Sequence, residues 1–473
     1  MSAALEAARA ALAEEPAWLV GGAVRDRLLG RESADYDIVV AGDPAAAAKT
    51  VARAAGQAAS FALSAEFGSW RVVARDGSWQ LDVEPLRAAT LAEDLALRDF
   101  TVNAIAEPLA GGEPIDPLDG IADLHARRLR LAGPGAFEQD PLRVLRLARV
   151  AVELGLTPDE QARRSARLNA HALSAVSGER IFLELRRTIA TPAARAGIEL
   201  IAELGALAVV LPELDALRGV EQSHFHHADV YEHTLQVLER AVELTATGSP
   251  ACAEAEPAIG AQRDALAALL AEPLADGLSR GEALRWGALL HDAAKPPTRA
   301  VQPGGRVTFI GHDRAGAELA REVLTRLRTS ERLRAHVAAL VRHHLRLGFL
   351  VHEPQPLAPR TVYAYLTATA PVAVDVSVLS IADRLATRGR NAERAIDAHL
   401  RVAAQLIGEA LRWRTQGPPA PLLRGDELAL ALGIVPGPQL GTLLDELAAA
   451  TYAGEIATPE QAVAHARASL AGR

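Results

Sequence analysis

The sequence predicts an α+β protein, a small head with a mixed sheet followed by an all-helical remainder, and three observations lead there. Between Trp18 and Asn103, β-branched runs alternate with alanine-rich helical stretches. After Pro117-Leu-Asp-Gly120 strand signals nearly vanish, and from Asp140 to about Gly408 apolar residues recur at helical spacing. At 473 residues the chain is too long for one core and should divide into about three domains.

In order, Met1 to Glu15 carries charges among alanines and reads as a helix, not as the apolar centre of a signal peptide. Ile38-Val-Val40, Trp70 to Ala74 and Trp79 to Val83 read as strands, and Pro44 to Ala55 as a helix. The helical remainder is punctuated by Pro158, Pro192, Pro212 and Pro296-Pro297. Thr247 to Pro273 reads as a loop or loose insertion, Pro354 to Pro359 as a turn, and Gln416 to Pro421 as a linker before a short helical tail.

Apolar residues make up 49% of the chain and aromatic ones only 4%, as in a helix-rich soluble protein. No stretch is long enough to span a bilayer, so no membrane partner is expected. The single cysteine, Cys252, excludes an internal disulfide and fits a reducing cytoplasm. A net charge of −9 has the wrong sign for a protein coated in nucleic acid, so any RNA contact needs a local basic strip.

The chemistry starts in Leu19-Val-Gly-Gly-Ala-Val-Arg-Asp26, followed by Ala34-Asp-Tyr-Asp-Ile-Val-Val40. Side chains alternate along a strand, so Asp35 and Asp37 share a face and repel unless divalent metal neutralises them. Gly21 and Gly22 let backbone approach an anion, and Arg25 adds a cation. Together they suit a nucleoside triphosphate beside Mg²⁺ and nucleotidyl transfer by two metals.

The next motifs resemble the class II tRNA nucleotidyltransferase and bacterial poly(A) polymerase family from Trp18 to about Ala190. They are Leu97-Arg-Asp-Phe-Thr-Val-Asn-Ala104, Asp116-Pro-Leu-Asp-Gly-Ile-Ala-Asp123 and Phe137-Glu-Gln-Asp-Pro-Leu-Arg-Val-Leu-Arg146. The resemblance implies a polymerase-beta-like head, with Asp82 as a third carboxylate and Glu84 nearby. It also implies that Arg98, Asp99 and Asn103 contact ribose and phosphate; on its chemistry alone, Asp99 is equally a helix N-cap. Asp140 and Arg143, with Arg146 beyond, match the motif by which the family reads the incoming base, a carboxylate acceptor beside a planar donor. Two departures stand out: Leu97 replaces an arginine and Gln139 a glutamate. The segment between Arg87 and Arg98 is also short, which resembles members that add only two cytidines.

His233, His291-Asp292 and Asp383 resemble the HD metal-dependent phosphohydrolases, whose ligands converge from several helices. Imidazole and carboxylate donors suit Mn²⁺, Ni²⁺, Fe²⁺ or Mg²⁺, and the absence of thiolates argues against structural zinc. His312 and His343 are further candidates for a second metal or for phosphate, with His344 ranked behind them. Lys295 and Arg384 suit phosphate or are solvated charge.

These readings place a nucleotidyltransferase head at 1–130, a helical base- and RNA-binding neck at 131–210, an HD domain at 211–410 and an RNA-contacting tail at 417–473. In the tail, Gly433, Gly437 and Gly441 suit either a phosphate-binding helix-turn-helix or a packed connection. Arginines 143, 146, 149, 163, 164, 167, 186 and 187 form a candidate phosphate strip. The expected activity is addition of C and/or A to tRNA 3′ ends from CTP and ATP, with hydrolysis of RNA 3′-terminal phosphates at the HD site. tRNA, CTP and ATP are the expected partners, DNA is not, and the oligomeric state is open. A poly(A) polymerase is the rival within the class; an HD hydrolase with a non-synthetic RNA-binding head is the rival outside it.

Overall fold

The computed structural model describes residues 3–56, 58–64, 68–222, 229–246, 252–388 and 392–471. They form an α+β fold in two compact units: Met1–Val176 with Glu199–Val210, and Ser177–Ile198 with Leu211–Arg473. The division falls inside the stretch 131–210.

The first unit is built on a six-stranded sheet of β1 (Ala17–Val20), β2 (Asp35–Val40), β3 (Ala59–Ser64), β4 (Ser69–Val73), β5 (Gln80–Pro85) and β6 (Ala106–Pro108), in the order β3-β4-β5-β2-β1-β6. β2 and β5 run parallel and the other pairs antiparallel, so the sheet is mixed. Alternation along β2 buries Tyr36 and Ile38 and leaves Asp35 and Asp37 on the opposite face. The helix Pro44–Ala54 starts where Asp43 accepts from the Ala45 amide at 2.9 Å, and it buries Ala47, Ala48, Val51 and Ala52. The short 88–97 segment is ordered: Thr90 and Glu93 form a capping box that opens the helix Leu91–Ala96.

The Asp116 to Asp123 motif holds this unit together. Asp116 accepts from the amides of Gly120 and Ile121, both at 2.8 Å. Fully buried Asp123 accepts from Thr101 Oγ1, Arg128 Nε and Arg130 Nε at 2.6, 2.6 and 2.8 Å. Gly120 has no room for a side chain, since a Cβ there would lie 2.2 Å from the Thr101 carbonyl oxygen.

The second unit is helical around a core that includes Val237, Leu284, Leu366, Leu379, Ile381 and Leu406. Two buried arginines brace it. Arg285 donates through Nη1 to the carbonyls of Ile189, Ala190 and Thr191, closing the C-terminus of the helix Gly178–Ala190, and through Nε to Thr245 Oγ1. Arg280 pairs with fully buried Asp375 through both carboxylate oxygens.

The loop expected over Thr247 to Pro273 is corrected from residue 252 onward; 247–251 lie outside the described residues. Helices Glu256–Ile259 and Arg263–Ala271 occupy it, packing Ala258, Ile259, Leu266 and Leu269 into the core. Pro257 sits in a first helical turn, where its missing N–H costs nothing, so it starts a helix instead of breaking one. The expected turn at 354–359 and linker at 416–421 lie outside helices except at one end each, where Pro359 opens the helix Pro359–Thr369 and Gln416 closes Ala392–Gln416.

The tail helices Gly425–Leu432, Pro438–Tyr452 and Pro459–Ala471 share a small core of Leu428, Leu440, Leu443 and Leu447. Of Gly433, Gly437 and Gly441, only Gly433 needs left-handed backbone, at φ +69°; Gly437 is extended and Gly441 lies inside a helix. Among the described residues no single helix is long and apolar enough to cross a membrane.

Candidate functional site

In the first unit, parallel pairing of β2 with β5 sets Asp37 directly opposite Asp82, two residues along from Asp35. Asp37 keeps an open surface. Protein packed around it nevertheless pushes its carboxyl up to about 6; Arg98 opposes that rise, and Glu84, Asp82 and Asp35 add to it. Such crowded carboxylates are what a divalent cation relieves. Asp82 is meanwhile gripped by Arg71 through both oxygens, at 2.7 and 2.8 Å.

The surroundings of Gly21 are equally defined. Gly21, at φ +75°, sits where a Cβ would lie 3.2 Å from Arg98 Nη1 and 3.4 Å from Asp37 Oδ2. Glycine therefore lets the backbone lie between cation and carboxylate. Arg98 Nε and Nη2 are buried without a hydrogen-bond partner among the described residues, with Asp94 Oδ2 at 3.7 Å. Buried unpaired guanidinium donors suit an anionic oxygen. Arg25 is held by Asn103 Oδ1 at 2.6 Å and by Asp26 at 2.8 Å.

The N-cap reading of Asp99 is corrected: the short helix Thr101–Asn103 is capped at Phe100 without a side-chain bond. Asp99 Oδ1 accepts instead from the adjacent Phe100 amide at 2.8 Å and from Asn103 Nδ2 at 3.0 Å, while Oδ2 faces Arg146 Nη1 at 3.3 Å. Burial alone would raise its carboxyl, but Arg146, Asn103 and the Phe100 amide hold it below the usual range. Arg143 is fixed by acceptors: Ala136 O and Gln139 Oε1 take Nη1 at 3.1 and 3.3 Å, and Leu97 O takes Nη2 at 3.0 Å. Asp140 accepts from the Leu142 amide at 3.2 Å.

The expected arginine strip is broken up by pairing. Arg149 meets Glu153, Arg163 and Arg167 both meet Glu203, and Arg186, which lies in the second unit, donates to the Asp276 carbonyl of that same unit. Glu153 lies four residues on along the same helix, whereas Glu203, on another helix, was invisible to a count of arginines.

In the second unit, two sets of ligand atoms gather: His233, His291 and Asp383, and Asp292, His312 and His344. His233 comes from the helix Val230–Leu244 and Asp383 from Ala373–Ala386; His291-Asp292 follow Arg280–Leu290 and His312 opens His312–Arg326. His233 Nε2 lies 3.1 Å from Asp383 Oδ1, His291 Nε2 3.1 Å from Asp292 Oδ2, and His312 Nε2 3.4 Å from Asp292 Oδ1.

Tautomers follow from the carbonyls behind the rings. Nδ1 of His291, His312 and His344 faces the carbonyl three residues back, Ala288, Phe309 and Val341, at 2.8, 2.7 and 2.7 Å. A carbonyl only accepts, so each Nδ1 carries a hydrogen, and in the neutral ring Nε2 is left with the lone pair. His312 Nε2 and His344 Nε2 then face each other at 3.3 Å, two lone pairs that a cation between them would reconcile. Burial, with His291 beside it, pushes His344 down to about 4, keeping it neutral. Neither His291 Nε2 nor Asp292 Oδ2 makes a hydrogen bond among the described residues, although Lys295 Nζ lies 2.7 Å from that oxygen. A 210 Å³ cavity opens on His344 and Asp383 and is also lined by Arg384 and His399.

The structure gathers His344, not His343, into this cluster. Successive helical residues point about 100° apart, so only one of the pair faces inward. Half-buried His343 accepts instead from Arg346 Nε at 2.9 Å, and burial with Arg346 and Arg342 pushes it down to about 4. The side chains that His344 meets, His312 and Asp292 from other elements, are what decide between them.

Three known families match successive stretches of the chain. The "Poly A polymerase head domain" matches residues 17–130, the "Probable RNA and SrmB- binding site of polymerase A" residues 155–218, and the "HD domain" residues 265–388. An A-adding tRNA nucleotidyltransferase of Deinococcus radiodurans is 37% identical over 94% of this chain and 93% of its own length. The chain belongs to the tRNA nucleotidyltransferase and poly(A) polymerase family. A CC-adding tRNA nucleotidyltransferase of Thermus thermophilus is 34% identical over 94% of this family member and 92% of its own length. In fold it is similar to a Bacillus stearothermophilus CCA-adding enzyme in complex with CTP, with TM-score 0.65 and 21% identity over 100% and 99% of the two chains.

Proposed function

We propose that this protein adds C and/or A to tRNA 3′ ends from CTP and ATP, releasing pyrophosphate. The observation that carries the reading is the β2–β5 register, which groups Asp35, Asp37 and Asp82 beside the unpaired donors of Arg98. Mg²⁺ held by these carboxylates would activate the attacking 3′-hydroxyl and brace the leaving pyrophosphate. Gly21, Gly22, Arg25 and Arg98 cradle the triphosphate, Asp99 and Asn103 meet the ribose, and Arg143 and Asp140 face the base with Arg146 behind Asp99. Arg143 is positioned before the nucleotide arrives, so little ordering remains on binding.

Two observations favour different products. The short, capped 88–97 segment resembles members that add only C, whereas the Deinococcus relative is an A-adding enzyme. Labelled CTP or ATP with Mg²⁺ and tRNAs ending at the discriminator base, at C and at CC separates them. A CC-adding enzyme extends the first two substrates with CTP; an A-adding one extends only the third, with ATP. No incorporation on any of them overturns the reading.

For the second unit we propose metal-dependent hydrolysis of phosphate or 2′,3′-cyclic phosphate at RNA 3′ ends, on His233, His291, Asp292 and Asp383, with His312 and His344 in a second ligand set. A Mn²⁺, Ni²⁺, Fe²⁺ or Mg²⁺ ion there would activate water near neutral pH. Arg384 would meet phosphate oxygens, and Lys295 would do so on exchanging its contacts with Asp292 and Gln222. Together the two activities would unblock and then extend one RNA end, in a reducing cytoplasm that fits the lone, buried Cys252.

A further inference from the structure

Beside the HD centre lies a second cavity, of 450 Å³, formed by the start of the helix His312–Arg326 and the segment 342–349. Its rim combines exposed apolar side chains with arginines. Ile310 and Phe349, 82% and 68% exposed, present apolar surface to solvent. Arg314 is exposed and makes no side-chain hydrogen bond or ion pair among the described residues. Arg346, also exposed, spends only Nε, on His343, while Arg342 is neutralised by Asp313. The cavity therefore carries net positive charge in a protein of net charge −9.

Its position links it to the ligands. Gly311 and Asp313 flank His312 in the chain, and Leu345 follows His344. Leu345 lines both this cavity and the 210 Å³ one that opens on His344 and Asp383.

We propose that this groove holds the last unpaired nucleotides of a single-stranded RNA whose 3′-terminal phosphate enters the HD centre, with Phe349 stacking on a base and Arg314 and Arg346 on backbone phosphates. Aromatic stacking beside flexible cations is the physical signature of single-strand binding, and a paired base has no free face for Phe349. His343, which accepts from Arg346, orients that cation. The proposal rests on the phosphohydrolase reading of the centre and adds the substrate's chain to it.

The test uses the full-length protein with Mn²⁺ and compares hydrolysis of 3′-phosphorylated hexauridylate with that of p-nitrophenyl phosphate, which has no chain to lay in the groove. All the changed residues are exposed. In R314E/R346E the ratio of kcat/KM for the oligonucleotide to that for the small ester should fall at least tenfold, through KM. The dependence of log KM on log salt should weaken by about 1.4 for two lost phosphate contacts. In F349A the ratio should fall at least about fivefold. A hexauridylate carrying 4-thiouridine next to its 3′ end should crosslink to the segment 345–350 in the unaltered protein and not in F349A. Unchanged ratios in both variants, crosslinks only elsewhere, or a concentration-dependent dimer abolished by F349A would overturn the groove. No hydrolysis of either substrate overturns the phosphohydrolase reading instead, and the crosslink then decides the groove alone.

Discussion

Gln139 Oε1 accepts a hydrogen bond from Arg143 Nη1 at 3.3 Å, so the residue that departs from the family's glutamate still holds the arginine proposed to read the base. It does so alongside the carbonyls of Ala136 and Leu97. One neutral acceptor among several contributes about 0.5–1.5 kcal/mol. Gln139→Ala should therefore shift the CTP to ATP preference by about two- to tenfold. Arg143→Lys loses the planar fork and should lower kcat/KM for the correct nucleotide by about a hundredfold or more. Competition between the labelled nucleotides measures both; a Gln139→Ala loss as deep as that of Arg143→Lys would mean that the carbonyls do not position the guanidinium.

Asp37→Asn and His291→Ala should separate the two activities. The first should lower nucleotide addition by about a thousandfold or more while p-nitrophenyl phosphate hydrolysis persists, and the second should do the reverse. Loss of both activities in either variant would argue against independent sites.

His344→Ala and His343→Ala should differ in bound metal. After loading with Mn²⁺ and desalting, elemental analysis should find less metal in His344→Ala than in the unaltered protein, and an unchanged content in His343→Ala. Equal depletion would place both histidines at the ligand set.

Arg280 and Asp375 should matter for stability in a way surface pairs do not. Asp375 is fully buried, so Asp375→Asn leaves Arg280 with an uncompensated buried charge at a cost of about 3–5 kcal/mol. Exposed Arg424 with Asp426 is the control, and its loss should cost under about 1 kcal/mol. Urea unfolding of the two variants decides this.

His399 supplies a pH signature. Burial pushes its imidazole down to about 4, with Ser380 Oγ 3.2 Å from Nε2. The unfolded chain takes up a proton near pH 6.5 that the folded chain refuses until about 4. Its contribution to stability is thus intact above pH 6.5 and is lost as pH falls from there to about 4. His399→Gln should flatten the fall in unfolding free energy over that window by one proton, about 1.4 kcal/mol per pH unit. An unchanged slope would mean that His399 titrates normally.

Much of the head was legible because its chemistry is local. Strand alternation alone sets Asp35 and Asp37 on one face, and the motif series names the family from the residues that carry it. The Asp116 to Asp123 motif was legible as a signature but not as a brace: Asp123 reaches Thr101, Arg128 and Arg130 only after the chain has turned back on itself.

What the sequence by itself determined is therefore what neighbours in the chain determine: alternation, helical period, caps, and the identity of the groups available for chemistry. The tertiary structure alone decided which of these groups meet. Parallel pairing of β2 with β5 brought Asp82 opposite Asp37, helix packing turned His344 inward and left His343 to Arg346, and Glu203 took up Arg163 and Arg167. The physical reason is that ligation and charge pairing depend on distances of a few ångströms between atoms on different elements, and helix rotation and strand register set those distances.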